Sequence, residues 1–209
     1  MDIVRVRIFI DFWNFQLQWN NHHGGQGTSD VVRIPWRDSL PNLLSAEASK
    51  GQTAKYLGTH VYASIDPGNP RDSGLRKFLQ VLDSFPGYKV TVKDRKPASV
   101  VRCPEPKCGH QIQDCPKCGN TLRRTIEKGV DTSVLTDLIQ YAFDDNFDRA
   151  VLVSADADFV PAVEYIQKKT DKQIIQAYFK SKGAELRNAC WDHVFFEDLL
   201  DRLVPRPKP

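Results

Sequence analysis

Apolar and polar positions alternate and then close up at the start of the chain. Val4-Arg5-Val6-Arg7-Ile8-Phe9-Ile10 predicts a strand that enters a buried sheet and ends at Asp11. Pro35 to Ser49 carries Trp36, Leu40, Leu43 and Leu44 at helical spacing, and Tyr56 to Ile65 reads as a second strand. Asp66-Pro67-Gly68-Asn69-Pro70 closes that strand with a dense turn signal. Leu75, Phe78, Leu79 and Leu82 then form an i, i+3, i+4, i+7 stripe, which predicts a helix. Further strands are expected at Tyr88 to Val92, Ala150 to Ser154 and Ile174 to Phe179. Helices are expected at Val130 to Phe147, Phe159 to Lys169 and Phe195 to Leu203.

Strands that alternate with helices predict an α/β chain, three layers around a mainly parallel sheet. In such sheets ligands sit beyond the carboxyl ends of the strands, which draws attention to Asp11 and to the residues after Val153. The rhythm breaks between about Pro97 and Arg123. The expected organisation is therefore a core of residues 1–96 and 124–204, an insertion at 97–123 and a tail at 205–209.

Length and composition add bounds. The chain has 209 residues, enough for one domain with an insertion. Its 41% hydrophobic and 26% charged residues suit a soluble globular protein. Apolar runs such as Ala150-Val151-Leu152-Val153 are too short to span a bilayer, so no membrane partner is expected. The first residues enter a strand pattern at once, which leads to the expectation of a cytoplasmic protein without a signal peptide. The net charge of +3 is unevenly spread. Lys89 to Lys128 holds ten Lys/Arg against four Asp/Glu, a local +6, so the remainder carries −3. A basic segment on a mildly acidic body suits a grip on phosphates, and equally suits a solvated insertion.

Four of the five cysteines fall in that segment, as Cys103-x4-Cys108-x6-Cys115-x2-Cys118. Such spacing reads as a closed, structural four-thiolate Zn²⁺ site, with glycine after Cys108 and Cys118 to turn each knuckle. His110 is an alternative ligand. The zinc would fold an insertion too small for a core of its own, and Arg123 and Arg124 beside it are candidate phosphate contacts. Cys190 stands apart and reads as a buried thiol.

The most informative string is Val151-Leu152-Val153-Ser154-Ala155-Asp156-Ala157-Asp158-Phe159, a strand delivering two aspartates at its end. If the chain stays extended, both face one side and repel unless a cation lies between them. Alone the pair is ambiguous, because glycosyltransferases and phosphatases also use paired aspartates and Asp158 could simply cap a helix. Asp11 ends a second strand, so two parallel strands deliver acids to one edge. A third source is the helix after Gly129. With Val134 at 0°, Asp131 falls at about 60°, inside the apolar stripe, and Asp137 at about 300°, outside it. An acid on a buried face needs a partner, and a cation or a helix-cap role would supply one. Carboxylates with waters hold Mg²⁺ or Mn²⁺, which can support phosphodiester hydrolysis. No Ser-His-Asp or Cys-His arrangement competes, no phosphate-cradling loop is present, and His22-His23 read as loop residues on the surface.

Three of these strings resemble the NYN domain, a branch of the PIN-like nuclease superfamily. Ile10-Asp11-Phe12-Trp13-Asn14-Phe15 resembles its opening motif, Lys128-Gly129-Val130-Asp131 with Asp137 its central one, and Val153 to Pro161 its final one. The resemblance covers almost the whole chain outside the zinc insertion. It implies a Rossmann-like PIN fold and a divalent-metal-dependent ribonuclease, with Asp11, Asp131, Asp156 and Asp158 as metal-binding acids. It also implies Asn14 and Ser154 as supporting polar groups that position water or phosphate, Lys128 as a phosphate contact, and it admits a homodimer. Ala155 and Ala157 stand where the motif usually has glycine. The alternatives are a catalytically silent adaptor that binds nucleic acid through its insertion, and a phosphatase or DNA-directed nuclease. Phe12, Trp13, Phe15 and Trp19 are candidates for stacking on unpaired bases, or for the core.

Overall fold

The computed structural model describes residues 3–24, 33–70, 72–97, 101–102, 105, 107–112, 114–119 and 125–203. In chain order the elements of the body are β1 (Ile3–Asp11), α1 (Phe12–His22), α2 (Ser39–Ser49), β2 (Thr53–Ile65), α3 (Asp72–Asp83) and β3 (Tyr88–Asp94). Two-residue strands follow, β4 (Lys96–Pro97), β5 (Val101–Arg102), β6 (Gln111–Ile112) and β7 (Thr125–Ile126). The second half is α4 (Val130–Phe143), β8 (Arg149–Val153), α5 (Val160–Lys169), β9 (Gln173–Tyr178), α6 (Ala184–Ala189), β10 (Asp192–Phe195) and α7 (Leu200–Leu203).

The central sheet has six strands in the order β10-β9-β8-β1-β2-β3, and each neighbouring pair is parallel. The chain lays down β1, β2 and β3 towards one edge, then returns to the other side of β1 with β8, β9 and β10. The strand order therefore reverses between β1 and β8. A crevice opens at the carboxyl ends of such a pair, because the connections leave it in opposite directions.

β1 shows how sequence alternation becomes two cores. Val4, Val6, Ile8 and Ile10 pack with Phe12, Phe15, Trp19, Leu40 and Leu44 on one face of the sheet. Phe9 points the other way, packing with Tyr62, Val134, Leu138, Phe147, Phe159 and Val163. Side chains two apart share a face, so Arg7 and Asp11 belong to the same face as Phe9. Each large apolar side chain taken fully out of water in these layers contributes about 1.5–3 kcal/mol before chain entropy is set against it.

Two local readings are corrected. Residues 12–22 form helix α1, and His23 is its C-cap, its ring Nδ1 lying 2.9 Å from the Trp19 carbonyl. His22 is the last helical residue, so the His22-His23 pair ends a helix that packs Phe12, Phe15 and Trp19 inward. The expected helix at Phe195 to Leu203 is instead β10, a 3₁₀ turn at Phe196–Asp198 and the short α7. β10 adds a strand at the far edge, beside β9.

At the insertion, β4 pairs antiparallel with β7, and β5 with β6. No helix of the described residues is long and apolar enough to cross a membrane.

Candidate active site

β1 ends on Asp11, which is also the N-cap of α1. The residue is 5% exposed, and its Oδ1 accepts the Asn14 backbone amide at 3.3 Å. β8 ends beside it. The Ser154 hydroxyl donates to Asp11 Oδ2 at 3.4 Å and accepts the Asp156 amide at 3.2 Å. Asn14 Oδ1 accepts the Ala155 amide at 3.0 Å, and the Gln176 side-chain amide donates to the Ser154 carbonyl at 2.9 Å. The loop after β8 is thus held from both sides, by α1 and by β9.

The loop is not extended. Asp156 is the N-cap of a 3₁₀ turn at Ala157–Phe159 and accepts the Asp158 amide at 3.0 Å, while Asp158 lies in the turn and is exposed. The capping acid is Asp156 rather than Asp158. Asp131 caps nothing either: the N-cap of α4 is Gly129, at φ 83°, which makes no side-chain cap bond. Asp131 sits half-buried in the first turn. Asp137 is on a flank, accepting the Tyr62 hydroxyl at 2.8 Å.

Electrostatics identify which acids are neighbours. Burial raises the Asp11 pKa to about 7, the Asn14 amide opposes the shift, and the charges of Asp131, Glu127 and Asp156 add to it. Burial also raises the Asp131 carboxyl above its ordinary value, assisted by Asp156, Glu127 and Asp158. These mutual effects bring together all four sequence-predicted acids. They also add Glu127, which the sequence reading missed.

Glu127 accepts the hydroxyl of the fully buried Ser64 near the end of β2 and pairs with Arg95 at 3.4 Å. Arg95 in turn donates to the Ser64 hydroxyl at 2.9 Å and lies 5.1 Å from the Trp13 ring centre, whose indole N–H holds the Ser64 carbonyl at 2.7 Å. Glu127 precedes the Lys128-Gly129-Val130-Asp131 string and lies on no periodic face; an acid four residues before Asp131 was the only signal.

Among the described residues, none of the ion pairs reaches Asp11, Asp131, Asp156 or Asp158. The opposite end of the sheet differs. There Asp145 and Asp148 are each 2.7 Å from Arg5 Nη2, and Lys172 joins Asp145. Among the same residues, no group of three or more His, Cys, Asp or Glu side chains is arranged to hold a metal ion.

Lys128 is exposed beside Glu127. Arg123, Arg124 and Cys103 lie outside the described residues. Cys108, Cys115 and Cys118 are unbridged. The backbone amides of Cys118 and Lys117 face the Cys115 sulfur and, with the Cys118 side chain, lower its pKa. The Gly119 amide closes the same turn on the Cys115 carbonyl at 2.8 Å. Cys190 is half-buried against the α5 side of the core, and burial pushes its thiol up to about 12.

A parallel α/β sheet with an acid cluster at its topological switch point defines a Rossmann-like chain. The chain belongs to the NYN domain family, whose model matches residues 5–199. That family of PIN-like nucleases supports a nuclease or RNA-related role in general. Among solved structures it is similar to a Vibrio parahaemolyticus protein described as of unknown function, with a TM-score of 0.53 and 17% identity, over 93% of this chain and 94% of that one. At that identity the likeness shows the fold alone. No curated protein is a match.

Proposed function

We propose that this protein is a divalent-metal-dependent ribonuclease that cuts RNA internally by hydrolysis of phosphodiester bonds. The observation that carries the reading is Asp11, buried at the switch point among Asp131, Glu127 and Asp156 and without a cationic side chain among the described ion pairs. Carboxylates gathered around a buried one repel, and a site that keeps them together is suited to a cation.

Asp11, Asp131, Asp156 and Asp158 are the residues proposed to hold Mg²⁺ or Mn²⁺, with Glu127 as a fifth acid on the β2 side. A bound divalent cation would supply Lewis-acid activation of the phosphodiester and of the attacking water. The chain itself supplies positioning. The Ser154 hydroxyl bonds Asp11 and the Asp156 amide, and the Asn14 Oδ1 holds the Ala155 amide, so both residues fix the acids and the loop. Lys128, Arg123 and Arg124 are proposed phosphate contacts.

The insertion is proposed to hold structural Zn²⁺ through Cys103, Cys108, Cys115 and Cys118. The amides turned towards the Cys115 sulfur support this, since they favour the thiolate form that zinc requires.

The test is incubation of the purified protein with single-stranded RNA, structured RNA and DNA of matched sequence, in Mn²⁺, Mg²⁺ or EDTA. RNA fragments that appear with metal and vanish with EDTA support the reading. Cleavage of DNA alone would move it to a DNA-directed nuclease. Tight binding without cleavage of anything would move it to a silent adaptor.

A further inference from the structure

A second feature lies beside the acids. Between the edge strand β3 and helix α4 runs a polar groove of about 280 Å³, lined by Lys89, Thr91 and Lys93 on one wall and Thr132, Ser133, Thr136 and Asp137 on the other. Lys89, Thr91 and Lys93 pair in register with His60, Tyr62 and Ser64. Tyr62 bonds Asp137 of α4, so all three β3 side chains face that helix. One end of the groove approaches the acids. Lys93 is the register partner of Ser64, which holds Glu127, and Thr132 directly follows Asp131. Lys89 lies about 13 Å further down the strand.

The two walls differ chemically. The strand wall offers ammonium donors on two exposed lysines. On the helix wall, the Ser133 hydroxyl already donates to the Gly129 carbonyl and the Thr136 hydroxyl to the Thr132 carbonyl, each at 2.7 Å. Their protons are engaged within the helix, so what they turn outward is lone pairs. Asp137 adds a carboxylate, also acceptor-only when ionised. One wall therefore suits an acceptor and the other a donor. A ribose–phosphate chain has both, phosphate oxygens and the 2′-hydroxyl, and DNA lacks the second.

We propose that this groove carries the RNA backbone away from the acid cluster, with Lys89 and Lys93 on phosphates and the Ser133, Thr136 and Asp137 oxygens selecting ribose over deoxyribose. This rests on the RNA reading above and adds to it a basis for choosing RNA. It also assigns part of the basic segment to the sheet edge rather than to the insertion.

The experiment is binding, measured by fluorescence anisotropy in EDTA so that cleavage plays no part. Probes are single-stranded RNA of about 15 nucleotides, DNA of the same sequence and 2′-O-methyl RNA. The wild type binds RNA tighter than the other two. Lys89→Gln with Lys93→Gln weakens RNA and DNA together by about tenfold or more, and lowers the slope of log affinity against log salt by about 1.4, roughly 0.7 for each lost phosphate contact. Lys89→Arg with Lys93→Arg retains binding. Ser133→Ala with Thr136→Val weakens RNA alone and erases its advantage. Unchanged affinity and slope in the lysine-to-glutamine variant would overturn the groove. Equal binding of RNA and 2′-O-methyl RNA by the wild type would overturn the ribose selection, whatever the variants do. These readouts do not depend on cleavage, so a protein that passes them yet cuts nothing would sink the nuclease reading and leave the groove standing.

Discussion

The Ser154 hydroxyl donates to Asp11 Oδ2 and accepts the Asp156 amide, so one oxygen ties the acid ending β1 to the acid following β8. Two strands on either side of the topological switch are locked at the point where their carboxylates meet. Removing that oxygen leaves the acids in place but loosens their relative position. Ser154→Ala is expected to weaken Mn²⁺ affinity about 10- to 100-fold, the usual effect of losing a group that orients metal ligands. Excess Mn²⁺ should restore much of the cleavage rate. A Mn²⁺ titration of activity checks this, and an unchanged midpoint would show that the hydroxyl does not position the site.

Asp11 gives the metal-free protein a definite pH response. Its folded pKa of about 7 stands above the ordinary aspartate value of about 3.9. Between those values the folded state keeps a proton that the unfolded chain has released. Stability from this group is therefore full below about pH 4 and lost as pH rises through about 7. Asp11→Asn should make the metal-free protein more stable at pH 8, by at most about 4 kcal/mol, with the difference shrinking towards pH 4. Thermal melts in EDTA across that range provide the check. At limiting metal, wild-type cleavage should rise with pH through about 7, because metal and proton compete for the same carboxylate.

Gly183 shapes the acid loop from behind. At φ 73° it favours glycine, and an added Cβ would lie 2.6 Å from the Gln176 side-chain nitrogen and 3.0 Å from the Ala155 Cα and Cβ. Gln176 is the residue that holds the Ser154 carbonyl. Gly183→Ala is expected to cost about 1 kcal/mol or more in stability and to lower activity beyond what the lost stability explains. Paired urea melts and cleavage rates measure both effects. Equal activity per folded molecule would confine Gly183 to packing.

For the insertion, elemental analysis of protein purified without added metal should find about one zinc per chain. Cys115→Ser should lose it and expose the insertion to proteolysis while β1, β2 and β8 stay protected from hydrogen exchange. Full zinc content in that variant would remove Cys115 from the ligand set.

The sheet and its acids were legible where chemistry and periodicity agree. β1 and β8 are apolar runs that stop on or just before an acid, and α4 carries Asp131 on its inward stripe. Helix α1 was missed although Phe12, Phe15 and Trp19 repeat at helical spacing, because it begins directly on Asp11 with no intervening turn. Its aromatics, offered as base-stacking groups, prove to be core at Phe12, Phe15 and Trp19, with Trp13 partly buried. The turn at Asp156–Phe159 was beyond an alternation argument, which assumes extended backbone. Glu127 was hidden for a different reason: tertiary folding brings it to the acids, through a Ser64 more than sixty residues earlier.

The central claim is that the acids at the β1–β8 switch hold a divalent cation required for cutting RNA. Mn²⁺ binding by titration calorimetry, compared between wild type and Asp156→Asn and followed by single-turnover RNA cleavage on the same samples, tests it most directly. The account predicts Mn²⁺ binding by the wild type, weakened in the variant together with at least about a hundredfold loss of cleavage and an unchanged melting transition. Cleavage that persists undiminished in Asp156→Asn, or in wild type stripped of divalent metal, would contradict it.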